Sequence, residues 1–157
     1  MNKILTTSLL MLMVTFSGCA TTRGVVTLGD SKVIKQTENL NKTAIIRIVE
    51  DDRVFEDKPK TPNIPSLKGG LAAATEDDKA KAIARKRNGY GKALGDIMLR
   101  EGTVASTVQK RVESALNQSG YRVLTASEQN NQKADLIVSV NITKFWSWVE
   151  LGFWAAK

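Results

Sequence analysis

The sequence contains no histidine and only one cysteine, Cys19. A single cysteine cannot form a disulfide within the chain. The absence of histidine excludes a Ser–His–Asp triad, a Cys–His catalytic pair and a zinc site with histidine ligands. An enzyme of this composition would have to use Asp, Glu, Lys, Tyr or Ser alone. We therefore expect a protein that is not an enzyme and that uses neither a cofactor nor a metal ion.

Proline is also scarce, and its three copies fall close together. Pro59, Pro62 and Pro65 hold the backbone extended and remove hydrogen-bond donors, so they predict a long irregular segment over residues 55–71. Long loops in compact domains are often mobile or functional. The segment is therefore a candidate functional loop.

Aromatic residues make up 6% of the chain, and all three tryptophans lie near its end. Three interpretations stay open. The aromatic side chains could pack in the core or against a hairpin strand, they could touch a membrane interface, or Trp146, Trp148 and Trp154 could form a partner interface, since tryptophan is enriched at binding hot spots. A terminal strand this apolar needs a covering partner, which indicates a truncated chain or a strand from another subunit.

Only one long apolar run is present in the sequence, at residues 4–16. It has about 13 residues, whereas a membrane-spanning helix needs roughly 20. Lys3 precedes the run, and the small residues Ser17 and Gly18 follow it, directly before Cys19. A basic residue, a short apolar run and small residues are the three parts of a secretory signal peptide. The chain is therefore predicted to be exported.

The position of the cysteine resembles the lipobox of bacterial lipoproteins, with Phe16 in the place where leucine is usual. The resemblance implies cleavage before Cys19 and a diacylglyceryl group on its thiol, so that lipid anchors the protein to a membrane. Ala20, in place of aspartate, implies the outer membrane on its periplasmic side, with the inner membrane as the alternative. Two or more acyl chains give stable anchoring where a single chain does not.

These features divide the chain into three parts. Residues 1–18 are predicted to be the lipoprotein signal peptide, and residues 19–42 a flexible, lipid-anchored tether with a short extended piece at 24–28. Residues 43–157 are predicted to be one folded domain, and truncation of this domain at its C-terminus stays open.

The net charge of the chain is +7. In an exported protein, a basic balance favours anionic lipid headgroups, acidic envelope polymers or acidic proteins over nucleic acid. Arg85, Lys86 and Arg87 form the densest basic cluster, and together with Lys92 they are the candidate contact for an anionic partner. The alternative is a solvated helix end whose basic residues complement the helix dipole.

Apolar periodicity predicts the secondary structure. A β-branched run predicts a buried strand at 43–49, and residues 75–87 predict a surface helix. Residues 103–119 carry an apolar residue at every fourth position, which predicts an amphipathic helix. A short strand at 121–125 follows, and the alternation from 135 to 148 predicts one long half-buried strand. This order predicts an α+β domain, with a small mixed or antiparallel sheet and two helices on one face.

The remaining motifs do not predict a nucleotide or metal site. The glycine-rich segment at 89–95 lacks the P-loop pattern, because Lys92 is followed by Ala93 where serine or threonine is required. We predict a turn that joins two helices. The acidic triplets at 50–52 and 76–78 lack the spaced oxygens and internal glycine of a calcium loop.

The chain also resembles small envelope lipoproteins of the YajG-like type, some of which are labelled as flagellar-biosynthesis lipoproteins. The resemblance rests on the leader, on Gly120–Tyr121 after an amphipathic helix, and on Ala-Asp-Leu-Ile-Val-Ser-Val at 134–140. It implies an address in the cell envelope and no particular activity. The anchor, the tether, the proline-rich loop and the aromatic end, without a catalytic constellation, predict a non-enzymatic binding or assembly role, flagellar or transport-associated, with a protein partner in the envelope. Members of this type run further past the last strand.

Two other functions stay open. The basic cluster could bind an anionic envelope polymer or lipid headgroups, and such binding would weaken steeply with salt. Alternatively, a histidine-free enzyme would need a deep polar cleft and a catalytic group with a strongly shifted pKa.

Overall fold

The computed structural model describes residues 21–29, 38–129 and 133–152. The strands within these ranges are β1 (Gly24–Val26), β2 (Lys42–Asp51), β3 (Ala82–Asn88), β4 (Ala93–Leu99), β5 (Tyr121–Val123), β6 (Leu136–Ile142) and β7 (Ser147–Leu151). The helices are α1 (Glu76–Lys81), α2 (Val104–Gln118) and α3 (Ala126–Gln129), with a 3-10 turn at Leu71–Ala73. The predicted α+β class is confirmed. The predictions for the signal peptide, Cys19 and Trp154 lie outside the described residues.

The strands form two sheets. The four-stranded sheet, ordered β1-β4-β3-β7, is mixed: β3 and β4 are antiparallel, while β1 and β7 run parallel to their neighbours. The three-stranded sheet, ordered β5-β2-β6, is parallel throughout. The prediction of one long strand from 135 to 148 is wrong, because β6 ends at Ile142 and the chain then crosses to β7 in the other sheet.

The predicted helix at 103–119 is confirmed as α2. Thr103 caps it, because Thr103 Oγ1 accepts a hydrogen bond from Ser106 N at 3.1 Å and Ser106 Oγ accepts one from Thr103 N at 2.9 Å. Gly120 follows with a φ of +88°, a left-handed conformation that glycine adopts at helix ends without strain. The apolar side of α2 packs on β2 and β5, and Val104 is fully buried.

The prediction of one helix over 75–87 is wrong beyond α1. Thr75 caps α1 as expected, since its Oγ1 accepts a hydrogen bond from Asp78 N at 3.0 Å. The chain then becomes β3, which lies between β4 and β7 in its sheet. Backbone pairing on both sides, together with burial of the β3 alanines, outweighs the local helical preference of an alanine- and lysine-rich segment. The turn at 89–92 accordingly joins two strands and not two helices.

Part of the segment assigned to the tether belongs to the folded domain. The expected extended piece is confirmed as β1, which pairs with β4 through the register Gly24 to Ile97. Just before β1, the backbone of Thr22 lies against Gly95, where an added Cβ would come within 2.1 Å of Thr22 O. Only glycine at position 95 allows this approach, so residues 22–26 lie directly against the sheet.

The predicted irregular loop is confirmed, because residues 52–70 contain neither helix nor strand. The loop covers one face of the four-stranded sheet, where Leu67, Ala82 and Met98 form a buried cluster. The opposite face of that sheet and the three-stranded sheet meet at a second cluster, built from Leu99, Val104 and Ile142. The loop is therefore part of the folded domain, because its residue Leu67 is buried in the core.

Arg53, at the start of the loop, is buried at 7% exposure. Its guanidinium donates to the two carboxylate oxygens of Asp51 at 2.6 and 2.7 Å. It also donates to the carbonyl oxygens of Lys79, Ala82 and Phe145 at 2.8, 2.6 and 3.1 Å. One side chain thus joins α1, β3 and the crossing between β6 and β7 to the end of β2. No sequence pattern indicated this role.

Glu128 fixes the turn that follows β5. Its Oε2 accepts hydrogen bonds from Thr125 N at 2.9 Å and Thr125 Oγ1 at 2.8 Å, and its Oε1 pairs with Arg122 Nη1 at 2.7 Å. These bonds, above all the one from the Thr125 amide, lower the pKa of Glu128 to about 2. A carboxyl with a depressed folded-state pKa stabilises the fold above its unfolded pKa and loses that contribution as pH falls toward the folded value.

We expect Glu128→Gln to lower the free energy of unfolding at neutral pH. The difference from the native chain should shrink as pH falls from the ordinary value of 4.5 to about 2, because protonation of the native carboxyl removes the same interaction. Urea denaturation at neutral pH and at about pH 3 measures the difference. Glu113→Gln, on the exposed side of α2, is the control, and a Glu128→Gln difference that did not change with pH would contradict the assignment.

Candidate anion-binding site

A cleft of about 730 Å³ opens on the sheet face that the loop covers. This volume is within the range of small-molecule sites. β3 and the turn after it contribute Arg85, Arg87 and Lys92 to the floor, and the loop forms the wall. The loop adds Lys58 and one carboxylate, Asp57, so basic side chains outnumber acidic ones along the lining.

The alternation of side chains along β3 decides which basic residues reach the cleft. Arg85 and Arg87 lie on the cleft face, and Lys86 lies on the opposite face. There, Lys86 Nζ donates a hydrogen bond to Thr22 O at 3.2 Å. Of the four residues predicted as an anionic contact, the cleft thus brings together Arg85, Arg87 and Lys92. An arginine at every second position suits a strand, but the helix prediction concealed this signal.

Arg85 and Arg87 are each buried at 8% exposure, and the protein holds them in the same way. Arg85 Nη1 donates to Ser66 Oγ at 3.0 Å, and Arg87 Nη1 donates to Gly91 O at 2.9 Å. Both Nε atoms are buried without a hydrogen-bond partner in the described part of the chain, and neither Nη2 makes a hydrogen bond there. A guanidinium can bind an oxyanion through two parallel N–H groups, so both arginines keep an unused edge.

The positive charge of the floor is only partly balanced. The Asp96 side chain is 1% exposed, its Oδ1 lies 3.7 Å from Arg85 Nε, and its Oδ2 lies 3.8 Å from Arg23 Nη2. Asp96 Oδ1 also accepts a hydrogen bond from Lys68 N at 2.9 Å. Burial lowers the pKa of Arg85, Asp96 partly offsets that effect, and Arg87 lowers the pKa further. Arginine still remains protonated at neutral pH, so one buried carboxylate faces two buried cations.

The rim of the cleft is shaped by Asp57 and Gly70. Asp57 Oδ1 accepts a hydrogen bond from Leu71 N. Gly70 has a φ of +81°, and a Cβ there would lie 2.9 Å from Asp57 Oδ1. The lining carboxylate is therefore used to close the loop, and the glycine is required where the two meet.

The turn after β3 places Lys92 beside the arginines. Asn88 Oδ1 accepts hydrogen bonds from Tyr90 N at 3.1 Å and from Lys92 N at 2.9 Å. Asparagine commonly organises turns in this way. Because Arg87 bonds Gly91 O in the same turn, the positions of Arg87 and Lys92 depend on each other.

The structure separates the residues that were predicted as a partner interface. Trp146 is half-buried: its Nε1 donates to Pro62 O at 3.1 Å, and its ring meets Phe55 edge to face with 6.0 Å between centroids. Trp146 therefore packs against the proline-containing loop and is not a free docking surface. Trp148 is 40% exposed on β7, at the edge of its sheet. Trp154 lies outside the described residues.

No group of three or more Cys, Asp or Glu side chains comes together in the described residues in a way that could hold a metal ion. No helix in the described ranges is long and apolar enough to cross a membrane.

Comparison of the chain with protein-family models, with curated proteins and with solved structures gives no match. A functional assignment therefore has to rest on the predicted leader and on the geometry of the cleft. The residues around the arginines that sequence analysis missed are Ser66, Asp57 and Asp96. They come from distant parts of the chain, and only the fold brings them together.

Proposed function

We propose that this chain is a lipid-anchored, periplasm-facing envelope lipoprotein whose folded domain binds an anionic ligand and catalyses no reaction. The observation that carries the proposal is the buried pair Arg85 and Arg87 in the floor of the cleft, whose Nε atoms make no hydrogen bond within the described residues. A buried donor without a partner costs roughly 1–3 kcal/mol, and more when it is charged. An oxyanion in the cleft would place acceptor oxygens beside these two guanidinium groups.

The surroundings of the pair favour an anion over a neutral ligand. Lys58 and Lys92 also line the cleft, and Asp57 is engaged by the backbone of the loop. Each hydrogen bond to a charged group contributes about 1.5–3 kcal/mol. A phosphate or carboxylate that met both guanidinium edges would therefore gain affinity from two charge-assisted contacts. Such binding also depends on ionic strength.

Inorganic phosphate is the probe that tests this function. Calorimetric titration of the mature chain should show saturable binding to one site, and the affinity should fall as salt is raised. Sodium acetate provides a monoanion for comparison and should bind more weakly, since it carries one charge. A chain that bound neither anion at low salt would contradict the proposal.

Assembly with an envelope protein is the second candidate function. The supporting observation is Trp148, which is 40% exposed on the edge strand β7. An exposed tryptophan on a sheet edge offers both apolar area and backbone groups to a partner. Docking of this kind should change little with salt, and Trp148→Ala should abolish it.

The anchor has its own test. In native cells, we expect the mature chain to begin at Cys19, to carry acyl chains and to sediment with the outer membrane. Cys19→Ser should prevent acylation and release the chain from the membrane fraction, because no thiol remains to receive lipid. Mass spectrometry of fractionated cells measures both. An unmodified native chain, or one found in the cytoplasm, would contradict the lipoprotein assignment.

A further inference from the structure

We infer that the cleft takes an organic anion with two acidic groups, one bound at Arg87 and Lys92 and the other at Arg85. This inference rests on the proposed function, that the cleft binds an anion, and deepens it by identifying the chemical class of the ligand. The carrying observation is that the fold fixes the two arginines at separate points of the cleft floor.

Different elements fix the two guanidinium groups. Arg85 and Arg87 lie on one face of β3, in continuous register with β7, so about 6.7 Å of extended strand separates their Cα atoms. Arg85 Nη1 donates to Ser66 Oγ in the loop, whereas Arg87 Nη1 donates to Gly91 O in the turn after β3. A phosphate or carboxylate binds a guanidinium through two parallel N–H groups, so one acidic group of this kind occupies one arginine. A ligand that uses both arginines in this way needs a second acidic group.

The balance of charge differs between the two points. Asp96 Oδ1 lies 3.7 Å from Arg85 Nε, which balances part of the charge but is too long for a hydrogen bond. Arg87 forms no ion pair within the described residues, although the exposed side chain of Glu150 is its register neighbour on β7. Lys92 adds a second positive charge in the turn that Arg87 holds. The point at Arg87 and Lys92 is therefore the stronger of the two, and the point at Arg85 is the weaker.

The lining of the cleft carries more positive than negative charge. Its basic side chains are Lys58, Arg85, Arg87 and Lys92, against the carboxylate of Asp57. When Asp96 beside Arg85 is counted as well, four basic side chains face two carboxylates, which leaves an excess of two positive charges. Complementary charge favours binding, and a ligand with two acidic groups supplies that complement.

The size and the remaining surface of the cleft suit a hydrocarbon spacer between the acidic groups. A volume of about 730 Å³ is within the range that holds a small organic molecule, and a phosphate ion alone would fill only a small part of it. Apart from the charged side chains and Ser66, the lining consists of Pro59, Leu67, Gly69, Gly70, Ala72 and Ala93. Their side chains carry no hydrogen-bonding group, so we expect the part of the ligand that joins the two acids to be apolar.

Calorimetric titration of the mature chain with three carboxylates, at one fixed ionic strength, tests the inference. Adipate carries a carboxylate at each end of a six-carbon chain. Hexanoate has a chain of the same length with one carboxylate, and succinate has the two carboxylates of adipate on a shorter chain. We expect adipate to bind at least roughly tenfold more tightly than either of the others, because it alone has both the charge and the length to reach the two arginines.

Variants locate the two acidic groups. In Arg85→Met and in Arg87→Met, adipate should lose its roughly tenfold advantage over hexanoate, because one arginine remains to bind a carboxylate. Arg47→Met removes the same charge from an exposed site on β2 and should keep the advantage. The two ligands are compared within each variant, so a general loss of folded protein affects both titrations equally. If Arg85→Met does not fold, Arg85→Lys takes its place, since lysine keeps the charge without the planar pair of donors, and it should lose most of the advantage.

Other results separate the inference from the function on which it rests. Equal affinities for the three carboxylates, in a chain that binds phosphate, would overturn the inference and leave the proposed function intact. Equal binding of adipate and succinate would also overturn the inference, because total charge alone would then decide, and so would an adipate advantage that survives in the Arg85 variant. A chain that bound neither phosphate nor any of the carboxylates would contradict the proposed function itself.

Discussion

Arg87→Met is expected to lower the affinity of the mature chain for phosphate at least roughly tenfold while leaving the fold as stable as before. One charge-assisted hydrogen bond is worth about 1.5–3 kcal/mol, and about 1.4 kcal/mol corresponds to a factor of ten. In the fold itself, Arg87 makes one hydrogen bond, to Gly91 O, and leaves its Nε unpaired. Methionine occupies a similar volume without a desolvated charge, and it relieves the repulsion that lowers the pKa of Arg85.

Two measurements are needed to check this prediction. Calorimetric titration with phosphate gives the affinity, and urea denaturation gives the free energy of unfolding. Arg47→Met is the matched control, because it removes the same charge from an exposed position outside the cleft. A variant that bound phosphate as tightly as the native chain would remove Arg87 from the site. A loss of stability together with binding would indicate that Arg87 has a structural role.

Arg53→Met should destabilise the fold by about 3 kcal/mol or more. The native guanidinium satisfies both oxygens of Asp51 and the carbonyls of Lys79, Ala82 and Phe145. Removing it leaves a half-buried carboxylate and carbonyl oxygens without their donor, and each unsatisfied buried group costs roughly 1–3 kcal/mol. These elements belong to both sheets, so the loss should not stay local.

Thermal and urea denaturation of Arg53→Met, with Arg47→Met as control, measures this effect. For a domain of this size, a loss of about 3 kcal/mol lowers the melting temperature by roughly 10 °C or more. The control should change the free energy of unfolding by less than about 0.5 kcal/mol, as exposed substitutions usually do. If the two variants proved equally stable, the hydrogen bonds of Arg53 would contribute nothing beyond those that water supplies.

The two arginines give opposite predictions although their exposure is almost the same, at 7% and 8%. The difference is in their hydrogen bonds. Arg53 uses all three guanidinium nitrogens within the protein, whereas Arg87 uses Nη1 alone. A buried cation that the fold satisfies contributes to stability, and a buried cation that it leaves unsatisfied is better explained by a ligand.

Secondary structure could be predicted from the sequence where local signals and tertiary environment agree. α2 has its cap at Thr103, its glycine at position 120 and an apolar stripe, and all three favour the same helix. β6 alternates in the same way, and its buried face is the predicted one. The proline-containing loop also lies where its composition predicted it.

The prediction failed where pairing with distant segments decided the conformation. β3 has a helix-favouring composition, yet its hydrogen bonds go to β4 and β7 on either side. Because residues 82–87 were predicted as a surface helix, Arg85, Lys86 and Arg87 were all expected to be exposed to solvent. In a strand, Arg85 and Arg87 share one face and Lys86 has the other. The cleft depends on that alternation.

By itself, the sequence determined the α+β class, the amphipathic helix and the loop, because each depends on composition or on spacing over a few residues. The leader that resembles a lipobox stays a prediction. The tertiary structure decided that Arg85, Arg87 and Lys92 line a cleft and that residues 22–26 lie against the sheet. Ser66, Asp96 and Thr22 are far apart along the chain, and only sheet pairing brings them to the arginines and to Gly95. Burial leaves the Nε atoms of Arg85 and Arg87 without a hydrogen bond in the described residues. A local sequence pattern could not have predicted this, because burial depends on the tertiary structure.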